Sequence, residues 1–197
     1  MKKVFAVLVF WAVLGSLLYA QEEKRGFYID VGGGWAWISY PDPFNTSVKN
    51  TAAISGVSRM TIGIDLSIGY ALLPNFYLVG SIGGIADNLS ASNTLTLMTM
   101  IVGPGLKFYP LPSKKHLQLG FDFGFSGFNI TDSSSTKSIE GPSGIGFQIS
   151  VFGDFDRTMT GPALLLGGKF YLGILSQKPV PGFALAAKFV YKGRSGR

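Results

Sequence analysis

Between Arg59 and Leu72 the side chains sort by parity without exception. Met60, Ile62, Ile64, Leu66, Ile68, Tyr70 and Leu72 take one set of alternate positions. Arg59, Thr61, Gly63, Asp65, Ser67, Gly69 and Ala71 take the other. Successive side chains on a strand point to opposite faces, so this pattern predicts a strand, whereas a helix would mix the two sets. The same split recurs along the chain. Phe27, Ile29, Val31, Trp35 and Trp37 oppose Tyr28, Asp30, Gly32, Gly34 and Ala36. Leu117, Leu119, Phe121, Phe123 and Phe125 oppose Gln118, Gly120, Asp122, Gly124 and Ser126. Eight strands are predicted: Phe27–Ile38, Arg59–Leu72, Phe76–Asp87, Met98–Phe108, His116–Phe128, Gly144–Phe155, Ala163–Leu172 and Gly182–Tyr191. Pro104 interrupts the fourth, which predicts a local bulge.

The links predicted between these strands alternate in length. Ser39–Ser58 is long, Leu73-Pro74-Asn75 is tight, and Asn88–Thr94 is medium and polar. Pro110–Lys115 is short, Ile130–Ser143 is long and rich in serine, and Asp156–Thr160 and Ser176–Pro181 are short. An even number of strands joined this way predicts an up-and-down barrel with both termini at one end.

Composition decides what the apolar face meets. Of 197 residues, 47% are hydrophobic and only 14% are charged, against the quarter typical of soluble domains. A soluble, lipocalin-type barrel would turn its apolar face inward and carry a charged exterior. Here the second face is mostly Gly, Ser, Ala and Gln with one charge per strand, which suits a narrow lumen filled by side chains. The fold class expected is therefore all-β: a closed antiparallel up-and-down transmembrane β-barrel of eight strands. No run after Leu18 is apolar and long enough for a spanning helix, so any membrane crossing is by strands.

Met1-Lys2-Lys3, then the uncharged apolar run Val4–Leu18, then Gln21-Glu22-Glu23-Lys24-Arg25 has the layout of a secretory signal. The expected organisation is residues 1–20 as signal peptide, cleaved after Ala20, and 21–197 as barrel. Taking Lys2 and Lys3 from the formal charge of +6 leaves +4. Those positives are scattered, so no nucleic-acid surface is expected. The absence of cysteine excludes a disulfide scaffold, a lipoprotein anchor and any thiolate metal site.

The inward charges are the candidate site. Asp30, Asp65, Asp122 and Asp154 are predicted to face inward on four strands, and Lys107, Lys169 and Lys188 on three others. Neighbouring strands then pair Lys107 with Asp122, Asp154 with Lys169, and Lys188 with Asp30 across the closing seam. An unpaired charge in so narrow an interior is costly, so pairing is expected. A structural network that plugs the lumen is one reading; a polar path for a small solute is the other. An aromatic girdle is expected at the strand ends, from Trp35 and Trp37 at one end and Tyr70, Phe108, Tyr109, Phe189 and Tyr191 at the other.

Catalytic motifs are missing. The single histidine, His116, stands beside Lys114 and Lys115 at a turn. Gly32-Gly33-Gly34 and Gly167-Gly168-Lys169 lack the strand-to-helix context of a phosphate cradle. No cofactor and no catalytic or metal-binding residue is expected, and the chain reads as a non-enzyme.

With its signal segment, dyad strands and final strand, the chain resembles the small eight-stranded outer-membrane barrels of OmpA/OmpX or OmpW type. Phe183, Leu185, Ala187, Phe189 and Tyr191 resemble the family's C-terminal assembly signal. Lys192–Arg197 extend beyond its aromatic end, a departure from the pattern. The resemblance implies residence in the cell outer membrane, with its lipid as a partner. It also implies assembly through the barrel-assembly machinery and loops that face outside and meet an extracellular ligand. For function it implies a structural or surface-display role. The alternatives are a narrow OmpW-like conduit for small hydrophobic molecules, supported by the inward-facing Ile38, Ile101, Phe128 and Phe152, and a lipid A-modifying barrel enzyme.

Overall fold

In the computed structural model of the chain, the described residues are 26–73, 75–110, 117–134, 138–154 and 161–193. The expected signal segment Met1–Ala20 and His116 lie outside them. The strands are β1 (Phe27–Ile38), β2 (Ser58–Leu73), β3 (Phe76–Ser90), β4 (Thr94–Phe108), β5 (Leu117–Asp132), β6 (Ser138–Asp154), β7 (Gly161–Leu175) and β8 (Lys178–Lys192). Each pairs antiparallel with the next, and β8 returns to pair with β1, which closes the barrel. The fold class matches the one expected from parity.

The two faces divide as the alternation dictates. Val31, Trp35, Leu66, Ile68, Phe123, Ile149, Leu185 and Phe189 are exposed on the outside. Asp30, Asp65, Ser67, Lys107, Asp122, Gln148 and Lys188 are buried inside. At Phe125 the ring is 82% exposed, and at Lys188 nothing is. A barrel of eight strands leaves an interior just wide enough for its own side chains.

The strands run further than the sharpest alternation. β5 reaches Asp132 and β6 starts at Ser138, with Ile130 opposite Ile139 and Thr131 opposite Ser138. The long second loop expected over Ile130–Ser143 is therefore mostly hairpin. Thr131, Ser138 and Ser143 extend the ladder because their backbone groups still find cross-strand partners. Likewise Pro179 and Pro181 lie within β8, in the expected Ser176–Pro181 link. β1 ends opposite Gly182, and the Pro181 carbonyl accepts the Ser39 N–H at 2.9 Å. Both prolines share that side of β8, beyond the end of β1, where a missing N–H breaks no ladder bond.

Of the expected links, Asp156–Thr160 and all of Pro110–Lys115 but Pro110 lie outside the described residues. At the end opposite the start of β1, the loop end, residues 39–57 form a long link, while 91–93 and 176–177 are short turns. The bulge expected at Pro104 is absent: Val102 pairs Phe125 and Gly105 pairs Asp122 in one unbroken register. The ladder merely skips Gly103 and Pro104. A register shift occurs instead beside Phe128, where Gly127 pairs Ser143 but Asn129 pairs Glu140, so Gly141 and Pro142 supply the extra residue.

The long link holds one helix, α1 (Phe44–Ala52). Val48 is buried, and Phe44 and Ala52 pack into the same apolar cluster as Ile38, Ile85, Leu97, Ile101 and Leu175. Phe44, Val48 and Ala52 are spaced by four, which lays them on one helical face. α1 thus lids the loop-end mouth with side chains from its own apolar stripe.

Candidate functional site: the charged lumen layer and the loop-end cleft

The interior is layered. An apolar cluster under α1 fills the loop end. A second cluster of Tyr28, Tyr77, Val79, Tyr109, Phe152, Leu165 and Val190 fills the terminal end. The charged layer lies among the inward side chains of the strands that carry both clusters.

In that layer Lys107 Nζ donates to both Asp122 oxygens at 2.8 Å. Gln148 Nε2 reaches Asp122 at 3.3 Å and Asp65 at 3.4 Å, joining two carboxylates that would otherwise repel. Asp65 forms an ion pair with Lys188 and a longer one, 3.9 Å, with Lys169. Lys188 also stands 3.8 Å from Asp30 and 4.6 Å over the Phe152 ring. Asp30 accepts from the Tyr28 hydroxyl at 2.6 Å, and the Gln118 amide donates to the hydroxyls of Tyr28 and Tyr109. The chain of contacts draws on every strand except β3. β3 contributes room: a Cβ on Gly83 would come within 2.7 Å of Gln148 Oε1. A Cβ on Gly105 would collide with the Asp122 carboxylate.

The structure brings Lys107 to Asp122 and Lys188 to Asp30, but it does not bring Asp154 to Lys169. Asp154 pairs with Lys192 at 2.7 Å, and Lys169 Nζ donates to the Ile64 carbonyl at 2.7 Å besides facing Asp65. The register gives the reason. Lys169 stands opposite Ser150, while Asp154 stands opposite Leu165, four residues along the strand, or about 13 Å at the usual rise. Lys192 belongs to β8 rather than to a tail beyond it.

Of the expected girdle, Trp35, Trp37, Tyr70, Phe189 and Tyr191 are exposed on the outer face. Phe108 is half-buried there, with its ring 6.2 Å from Phe76. Tyr109 is the correction. It is fully buried and turned inward, 5.9 Å from the Tyr77 ring, with Lys192 Nζ 4.7 Å over its face. The Tyr109 N–H donates to the Asn75 carbonyl. This keeps the chain extended past the end of β4, and parity then sends Tyr109 inside because Phe108 is outside.

Two groups of residues were not singled out by the pattern. Tyr28, Gln118 and Gln148 complete the layer, and their inward parity is the signal for them. At the loop end, Asp87 accepts from Arg59 at 2.8 and 2.9 Å, from Thr61 at 2.9 Å and from the Tyr40 hydroxyl at 3.2 Å. Burial and the Asp87 carboxylate push the Tyr40 phenol well above its ordinary pKa, so it stays protonated and donates. This knot ties the start of the long link to β2 and β3. Beside it an apolar cleft of about 430 Å³ opens between the Tyr40–Phe44 segment, the loop-end parts of β5 and β6, and the β7–β8 turn. Phe128, Ile130, Pro142, Leu175 and Val180 line it, with Asp42 and Lys178 as its charged residues.

No family model matches the chain, and no curated protein matches it in sequence. Solved structures do match in fold. Ail, the attachment invasion locus protein of Yersinia pestis, solved in complex with the heparin analogue sucrose octasulfate, is similar at a TM-score of 0.57 and 12% identity. That match covers 86% of this chain and 100% of Ail. Neisserial surface protein A is similar at a TM-score of 0.57 and 12% identity, over 84% of this chain and 96% of its own. The chain has the closed eight-stranded fold of these small outer-membrane barrels.

Proposed function

We propose that the chain is an integral outer-membrane barrel with a closed lumen, whose role is carried by its loop end. The observation behind this reading is the charged layer. Lys107, Asp30, Asp65, Asp122, Lys169 and Lys188 are all buried, and they occupy the interior between two apolar clusters. A water-filled path would expose such groups, and a path for apolar solutes would not cross paired charges. The outer face, apolar along every strand, supports lipid as its surroundings. The alternating final strand supports delivery through the barrel-assembly machinery. A surface-interaction role fits what remains: the loop end carries the helix, the Asp87 knot and the cleft. No observation favours lipid A modification: of the cleft's polar side chains, Asp42 hydrogen-bonds Thr46, and none is paired with Ser176 or Lys178 among the described residues.

Single-channel recording on the refolded protein tests the reading. A barrel that shifts its gel mobility on heating yet passes no current is the expected result. Reproducible conductance that a hydrophobic detergent blocks would overturn it and favour the conduit.

A further inference from the structure

The loop-end cleft has the size and lining of a ligand site. Its 430 Å³ falls within the roughly 300–1,000 Å³ of small-molecule sites. The rings of Tyr40, Phe44 and Phe128 brace one another edge-on at 5.2–5.8 Å. The cleft lies where two strands part: the β6–β7 ladder ends at Gly144 opposite Leu175, and residues 138–143 of β6 run on without a β7 partner. The extra residue at Gly141-Pro142 falls in that unpaired stretch, and a bulge bends the strand that carries it.

The polar groups around the cleft are unequal. The Tyr40 hydroxyl is already donating to Asp87. Asp42 accepts from Thr46 Oγ1 at 2.9 Å. Lys178 is exposed and forms no ion pair among the described residues. The walls therefore offer burial to an apolar body, and the rim offers one uncommitted cation.

We propose that this cleft binds a single-chain amphiphile with an anionic head, the chain among the rings and the head at Lys178 Nζ. The inference rests on the loop-end reading above and names its ligand class. Apolar burial supplies most of the affinity at about 25 cal/mol per Å², and the exposed lysine supplies selectivity for charge.

The test uses the refolded protein in phosphatidylcholine nanodiscs with labelled isoleucine, leucine and valine methyls, titrated with laurate. Saturable shifts are expected at Ile130, Leu175 and Val180 and none at Ile68 or Val151 on the outer face. Ile130→Trp, or Val180→Phe if that variant fails to fold, should remove them while the heat-modifiable band persists. Lys178→Glu should weaken laurate about five- to tenfold and leave dodecanol unchanged. Lysophosphatidylglycerol, run in parallel, separates a bilayer source from a free acid; tighter binding of either supports the proposal. Three results would overturn it: no saturable shift with either probe, unchanged shifts in the filled variants, or dodecyltrimethylammonium binding as tightly as laurate. Conductance is read separately, so an open barrel would sink the closed-lumen reading without deciding the titration.

Discussion

Lys107 Nζ sits 2.8 Å from both oxygens of Asp122, and the two side chains are almost wholly shielded from solvent. Burying two charges costs several kcal/mol each, and their attraction repays that only while both are present. Asp122→Ala leaves an ammonium group in the lumen and should cost about 3–5 kcal/mol. Lys107→Met with Asp122→Leu should cost far less, because neither charge is stranded. Urea unfolding followed by the heat-modifiable gel band measures both. Equal losses for the single and double variants would show that the pair is not the source of the stability.

Asp154 offers a sharper discrimination, because two lysines compete for it on paper and one holds it in the fold. Its carboxylate meets Lys192 at 2.7 Å, while Lys169 turns to Asp65 and the Ile64 carbonyl. A double-mutant cycle between Asp154→Asn and Lys192→Met should show a coupling above about 1 kcal/mol. The cycle between Asp154→Asn and Lys169→Met should stay within about 0.5 kcal/mol of additivity. The reverse ranking would mean that β7 is shifted in register.

These two acids also show how far the chain could be read in advance. Parity alone placed Asp122, Asp65 and Lys188 inside, because on a strand the face is set by odd and even numbering. Which lysine meets which aspartate depends on register and on how far a side chain leans along the barrel, and neither is written in the parity. Tyr109 was misplaced for a related reason: it looks like a girdle residue at a strand end until the Asn75 carbonyl extends the strand by one position. α1 carried a legible signal in Phe44, Val48 and Ala52, hidden among prolines and polar residues that read as loop. The cleft was not legible, since it needs Tyr40, Phe128, Pro142 and Val180 from four separate segments.

The Asp87 knot holds the lid. Tyr40 reaches Asp87 from the start of the long link, and α1 begins four residues later. Asp87→Ala removes the acceptor shared by Arg59, Thr61 and Tyr40, and strands the guanidinium less severely because Arg59 is part-exposed. The expected effect is local: α1 amides should exchange with deuterium about tenfold faster, a loss near 1.4 kcal/mol, while the amides of β4 and β5 keep their protection. A uniform loss across the barrel would mean that the knot supports the strands rather than the lid.

The β7–β8 turn stores a small strain that substitution can release. Ser176 and Gln177 stand at φ of 46° and 66°, left-handed values that disfavour ordinary side chains. Two-residue hairpin turns of this kind favour Asn-Gly. Replacing Ser176 with Asn and Gln177 with Gly should raise stability by about 1 kcal/mol, seen as a higher urea midpoint with an unchanged slope. A lower midpoint would indicate that Ser176, which lines the cleft, makes a contact worth more than the strain.

Phe123 tests the surroundings of the barrel. It lies near the middle of β5, opposite Phe147, with its ring pointing outward. If lipid covers that face, Phe123→Arg places a guanidinium near the bilayer centre and should cost about 2–4 kcal/mol. If water covers it, the same change is a surface substitution worth about 0.5 kcal/mol or less. Phe123→Leu is the control for lost ring area and should stay close to the parent in either case. Folding each variant into vesicles and measuring reversible unfolding in guanidinium gives the difference directly. A penalty for arginine no larger than that for leucine would remove the bilayer from the account of this outer face, and the closed-lumen membrane reading with it.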